Sequence, residues 1–212
     1  HRGDIRLPRR YIDIPDMETM RNSKENKKTL FMENPFLQPY TTPHGTVPFD
    51  KIELVHYEPA IREGISQEDK EINDIISNPE KPTFKNTILA LEQSGKLLDQ
   101  VTTVMFNLMS AETCNELDEI AEKMMPILSE HSNNISLNEK LFERVKQVYE
   151  DRKNLKLTPE ELRLLEKTYD GFVRNGANLS EEDKVTFRKI STELSSLTLR
   201  FSQNHLKETN SY

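Results

Sequence analysis

From about Asp50 onward apolar residues recur three and four positions apart, the period of a helix with one buried face. Pro59, after Tyr57-Glu58, suits the first turn of a helix through Ala60, Ile61, Ile65, Ile72 and Ile75-Ile76, which stops at Asn78-Pro79. Thr83 is placed to cap the next. There Ile88, Leu91, Leu98, Val101, Met105 and Leu108 make one long amphipathic helix from Phe84. Thr113-Cys114-Asn115-Glu116 has the form of a capping box, a hydroxyl answered by a carboxylate three residues on. The helix it opens carries Leu117, Ile120, Met124, Ile127-Leu128, His131 and Ile135, with a kink predicted at Pro126 because proline removes one internal donor. After Ser136 a further helix carries Leu141, Phe142, Val145, Val148 and Tyr149.

The clearest start signal is Thr158-Pro159-Glu160-Glu161, which joins a cap, a proline at the first helical position and a glutamate at the third. The helix behind it places Leu162, Leu165, Tyr169, Phe172 and Val173 on one face, and Gly176 suits its C-terminal cap. Ser180-Glu181-Glu182-Asp183 opens the last helix, in which Phe187, Ile190, Leu194, Leu197 and Phe201 repeat at heptad spacing and require a surface to pack on. About six helices with short connections predict an all-α fold, an antiparallel helical array. If the array does not cover the heptad face, self-association of the chain is expected.

Two N-terminal stretches lack this period. Residues 33–49 are punctuated by Pro35, Pro39, Pro43 and Pro48 and read as an extended Pro-rich arm, with Phe36, Tyr40 and Phe49 as its anchors on the helices. A peptide-binding strand is the sharper reading of the same arm. Residues 1–32, polar and basic around Arg9-Arg10 and Lys27-Lys28, read as a leader, linker or cloning-derived segment. The helical lobe then covers 50–212.

Composition narrows the function classes. Six glycines, no tryptophan and 31% charged residues favour helices. A formal charge of -7 gives no basic stripe for phosphates, so nucleic acid is not expected as a partner. No apolar run approaches the roughly 20 residues that span a bilayer, so no membrane partner is expected. The single cysteine, Cys114, rules out an internal disulfide and a cysteine-based zinc site; it reads as a partly buried, inert thiol, compatible with cytoplasm or periplasm alike.

The chain offers little chemistry by spacing. Its five histidines, His1, His44, His56, His131 and His205, form no ligand array, and the zinc-protease pattern H-E-x-x-H does not occur. Serine-nucleophile motifs, phosphate-cradling glycine loops and EF-hand loops are absent too. Carboxylates such as Glu71-Asp74 and Glu181-Glu182-Asp183 read as solvated helix faces and first-turn charges. The expected catalytic, cofactor-binding and metal-binding residues in this segment are therefore none.

Particular stretches say more than the spacing does. Asn34-Pro35-Phe36, Pro48-Phe49-Asp50-Lys51-Ile52, His56-Tyr57-Glu58-Pro59-Ala60-Ile61 and Asn86-Thr87-Ile88-Leu89-Ala90-Leu91-Glu92-Gln93-Ser94-Gly95 resemble the opening of the thimet-oligopeptidase family of zinc metallopeptidases, on its bacterial peptidyl-dipeptidase side. The likeness continues through Leu137-Asn138-Glu139-Lys140-Leu141-Phe142, Phe172-Val173-Arg174-Asn175-Gly176-Ala177 and Leu197-Thr198-Leu199-Arg200-Phe201, from about Glu33 to the C-terminus. The resemblance implies a larger helical enzyme with two lobes facing a channel, in which an H-E-x-x-H helix far downstream holds zinc and releases dipeptides from the C-termini of short peptides. It implies that this segment is one channel wall, partnered by the C-terminal catalytic part of the same protein, with zinc bound only in the full-length parent. The segment alone is then expected to be inactive. The competing reading is a free-standing helical protein-interaction module.

Overall fold

The computed structural model of the chain describes residues 34–111 and 113–210; the segment 1–32 lies outside the described residues. Within them the regular structure is helical, without strands. Six helices carry the fold: α1 Leu54–Ser77, α2 Lys96–Ala111, α3 Asn115–Ser136, α4 Glu139–Glu150, α5 Pro159–Arg174 and α6 Glu181–Asn210. A π-helical segment, Phe84–Leu89, and a single turn, Ala90–Glu92, lie between α1 and α2.

Residue pairings fix the directions. α1 and α2 are antiparallel, since Gly64 faces Leu98 while Glu71, further along α1, reaches Gly95 just before α2. α3 and α6 are antiparallel as well: Asn133 Nδ2 donates to Ser191 Oγ at 2.7 Å, and Arg188 donates to Asn134 Oδ1 at 2.7 Å. α1 and α3 lie parallel, linked first by Lys123 to Glu58 and then by His131 to Glu68.

Burial divides into two groups that share α1. Its first half sends Tyr57, Ala60 and Ile61 against Val101 and Met105 of α2 and Leu117 and Met124 of α3. Its second half sends Ile72 and Ile75 against Ile88 and against Leu141, Val145, Leu165 and Phe172 of α4 and α5. Each fully buried side chain of this size contributes about 1.5–3 kcal/mol. Phe142 and Tyr149 of α4 stack on Tyr169 of α5, the two tyrosine rings 3.9 Å apart at their centroids.

Several boundaries differ from the sequence reading. α1 begins at Leu54, so Pro59 lies inside the helix. The start is fixed by His56, whose Nδ1 accepts the Glu53 N–H at 2.9 Å, a capping bond made by an imidazole in place of the usual carboxylate. The long helix predicted from Phe84 to Leu108 is broken at Gly95. That residue has φ +68°, a left-handed conformation that glycine adopts without steric cost, and it starts α2 in a new direction. Its N–H donates to Glu71 Oε2 at 2.8 Å, so Glu71, read as a solvated carboxylate, instead satisfies a backbone donor. The cap of α3 is Cys114, one residue later than predicted, because the Thr113 hydroxyl turns to Asp118 Oδ1 at 2.7 Å. Cys114 is exposed, contrary to the partly buried thiol expected. α3 continues as one assigned helix across Pro126.

The other caps match. Thr158 Oγ1 accepts the Glu161 N–H, and Glu161 Oε2 accepts the Thr158 N–H at 2.8 Å. At the far end of α5, Ala177 N–H bonds Phe172 O and Gly176 N–H bonds Val173 O, a Schellman closure with Gly176 at φ +88°. The arm contains two short 3₁₀ turns, Pro35–Leu37 and Pro43–Gly45. Asn34, fully buried, ties it down: its Oδ1 accepts the Phe36 N–H and its Nδ2 donates to His56 O at 2.8 Å. Phe36 packs on Tyr57 with ring centroids 5.2 Å apart. Phe49 is no anchor; it is exposed, and its neighbour Pro48 is buried in its stead.

Candidate functional site

The last helix is held in an unusual way. Among the described side chains of this 30-residue helix only Lys184 and Leu199 are buried. The rest of its contact with α3 is polar: Ser191 with Asn133, Ser195 Oγ with Ser129 Oγ at 3.4 Å, and Arg188 with Asn134. Lys184 Nζ donates to Glu139 at 2.9 Å and to Glu181 at 2.8 Å; Glu181, then Glu139, raise its pKa. The heptad face points away. Ile190, Leu194, Leu197 and Phe201 are 59%, 60%, 53% and 71% exposed, a continuous apolar seam with no cover among the described residues.

Beside the seam lies a groove of about 1130 Å³ between α2, α3 and α6. Phe106, Met109 and Met125 supply apolar lining, and Leu194 belongs to groove and seam alike. Asp118, Glu119 and Glu122 line the α3 side, with Lys207 across from them on α6. The groove can take an apolar ridge with basic flanks.

A second constellation sits between α1 and α3. His131, 6% exposed, places Nε2 at 2.8 Å from Glu68 Oε2 and Nδ1 at 3.4 Å from Asp69 Oδ1. The hydrogen bond that the ring donates to Glu68 raises the imidazole pKa, and the charges of Glu68 and Asp69 add to it, against the opposing effect of burial. Glu68 also crowds the Gly95 turn, where an added Cβ would meet its carboxylate at 2.5 Å. Nothing in the sequence signals this cluster, because its partners lie 63 positions apart. Of the other histidines, His44 is exposed in the arm, His56 is a helix cap, and His205 lies near Phe201 at 6.4 Å; His1 falls outside the described residues.

No family model matches the chain. It is 44% identical over 173 residues to the dipeptidyl carboxypeptidase of Escherichia coli (strain K12), an alignment covering 82% of this chain and 25% of that protein. Over this region the chain is similar to dipeptidyl carboxypeptidases and, at lower identity, to oligopeptidase A. The dipeptidyl carboxypeptidase of Salmonella typhimurium is 42% identical over 173 residues, 82% of this chain and 25% of the relative. Oligopeptidase A of Escherichia coli (strain K12) is 25% identical over 178 residues, covering 84% of this chain and 26% of its own length. The chain thus spans about a quarter of the length of these curated relatives.

The resemblance to zinc metallopeptidases implies zinc in a full-length parent, and the described residues are not arranged to hold it. Among them no group of three or more His, Cys, Asp or Glu side chains is placed to hold a metal ion. The nearest approach, His131 with Glu68 and Asp69, commits both ring nitrogens to carboxylates and leaves no imidazole lone pair directed at a cation. No chemical step is routed through these side chains.

Proposed function

We propose that this chain is the N-terminal helical lobe of a zinc peptidyl-dipeptidase that releases C-terminal dipeptides from short peptides, and that it forms one wall of the substrate channel. The carrying observation is the gap in similarity: 44% identity to a dipeptidyl carboxypeptidase against 25% to an oligopeptidase A over nearly the same stretch. On this reading the zinc and the groups that recognise a free C-terminus lie in the remaining part of the protein. The lobe contributes shape. A wall of packed helices narrows access to short or unfolded peptides and helps exclude water around them.

The experiment uses the product of the complete reading frame. Incubated with an N-acylated tetrapeptide, it is expected to release the C-terminal dipeptide, and a chelator is expected to abolish the release. Cleavage confined to internal bonds of longer peptides moves the protein to the oligopeptidase side. No peptidase activity at all, with a reading frame ending at Tyr212, overturns the proposal in favour of a helical interaction module.

A further inference from the structure

α6 is too long for the contacts it makes. Its inward face rests on serine and asparagine hydrogen bonds and one buried leucine, while its best apolar residues face outward. A helix gains most of its stability from burying an apolar face, and here that face lies open. The spacing from Phe187 through Ile190, Leu194 and Leu197 to Phe201 alternates three and four, the pattern that takes the side chains of a second helix lying alongside. The groove next to it continues the same surface through Leu194.

Two observations select the occupant. The curated relatives carry about three quarters of their length outside the matched region, so the family supplies far more chain than this lobe. The groove also has a charge preference, with Asp118, Glu119 and Glu122 against the single Lys207. A second copy of α6 would bring the Glu193 carboxylate beside its own seam together with Arg200 and Lys207, so part of that flank would set like charge against the acidic wall.

We propose that the α6 seam and its adjoining groove seat one amphipathic helix from the remaining part of the same polypeptide, its apolar ridge on Ile190, Leu194, Leu197 and Phe201 and its lysines or arginines against Asp118, Glu119 and Glu122. The inference rests on the peptidase-lobe reading, since that reading supplies the additional chain. It goes further by naming the surface and the chemistry of the segment that joins the two parts.

Thiol labelling in the complete protein tests it. Exposed Cys114 is replaced by serine, and single cysteines are introduced as Leu197→Cys on the seam and Lys153→Cys on an exposed position of the α4–α5 connection. Each labelling rate is divided by that of the same variant in denaturant. Lys153→Cys is expected to label at close to its unfolded rate, and Leu197→Cys at least about tenfold more slowly, because a covered thiol reacts only after local opening. Adding Glu119→Lys with Glu122→Lys is expected to restore fast labelling at Leu197→Cys while leaving Lys153→Cys unchanged. Fast labelling at Leu197→Cys in a protein that still releases dipeptides overturns the inference and leaves the proposed function standing. Protection that disappears on dilution identifies a second copy as the occupant and also overturns it. Concentration-independent protection in a protein without peptidase activity sustains the docking surface and removes the functional reading beneath it.

Discussion

His131 shows how a residue with no motif around it acquires a definite part. Its charged form is held by Glu68 and Asp69, so its pKa in the folded state lies above that in the unfolded chain. A group raised on folding stabilises fully below its unfolded value, about 6.5 for histidine, and loses that contribution as pH rises through the folded value. His131→Gln is therefore expected to cost about 1.5–3 kcal/mol in mildly acidic buffer, the range for hydrogen bonds to charged groups, and progressively less as the pH is raised. Thermal melts of both proteins across that range check the convergence; a gap that stays constant or widens with pH contradicts it. Sequence placed His131 on an apolar stripe and went no further, because a pairing across 63 positions leaves no local trace. The same blindness applied to His56, whose ring replaces a carboxylate in a cap that pattern rules do not expect. Where partners sit three residues apart in standard form, as in Thr158 and Glu161, the bond was legible in advance.

At the level of elements, the crossing of α1 and α2 depends on Gly64. A Cβ there would stand 2.9 Å from the Cα and the N of Leu98, and backbone atoms cannot rotate out of the way. Alanine would gain about 1 kcal/mol of helix propensity over glycine, but overpacking of this kind costs typically about 1–3 kcal/mol. Gly64→Ala is thus expected to destabilise the chain on balance, lowering the urea midpoint with an unchanged slope. A raised midpoint would mean that the helices can separate freely. Five of the six helices were readable from their apolar period, with the end signals right at Thr158 and Gly176 and displaced at the starts of α1 and α3. The sixth case, the helix that stops and restarts at Gly95, failed because the apolar period runs on through the break. Ile88 and Leu98 both face the interior, one in each core group. Only the left-handed turn, held by Glu71, separates them.

Across the whole molecule, the uncovered seam governs how the isolated chain behaves. Two such faces brought together would bury apolar area worth roughly 25 cal/mol per Å². The 212-residue chain is expected to associate with rising concentration, and Leu197→Glu to weaken that association while leaving the unfolding free energy within about 0.5 kcal/mol of the parent, as for other surface substitutions. Sedimentation velocity with a parallel melt tests both: a monodisperse parent or an unfolded mutant defeats the expectation. Sequence identified this face by its heptad spacing and left its orientation open; the structure turns it outward because small polar residues, Ser191 and Ser195, give α6 a closer fit to α3. A different consequence follows from α1. It is a single rod set into both apolar groups, with Ile61 in one and Ile72 in the other. Loosening one half tilts a rod on which the other half also packs, so Leu165→Ala is expected to weaken packing at Met105, and the chain, with its two interiors, to melt in one calorimetric step.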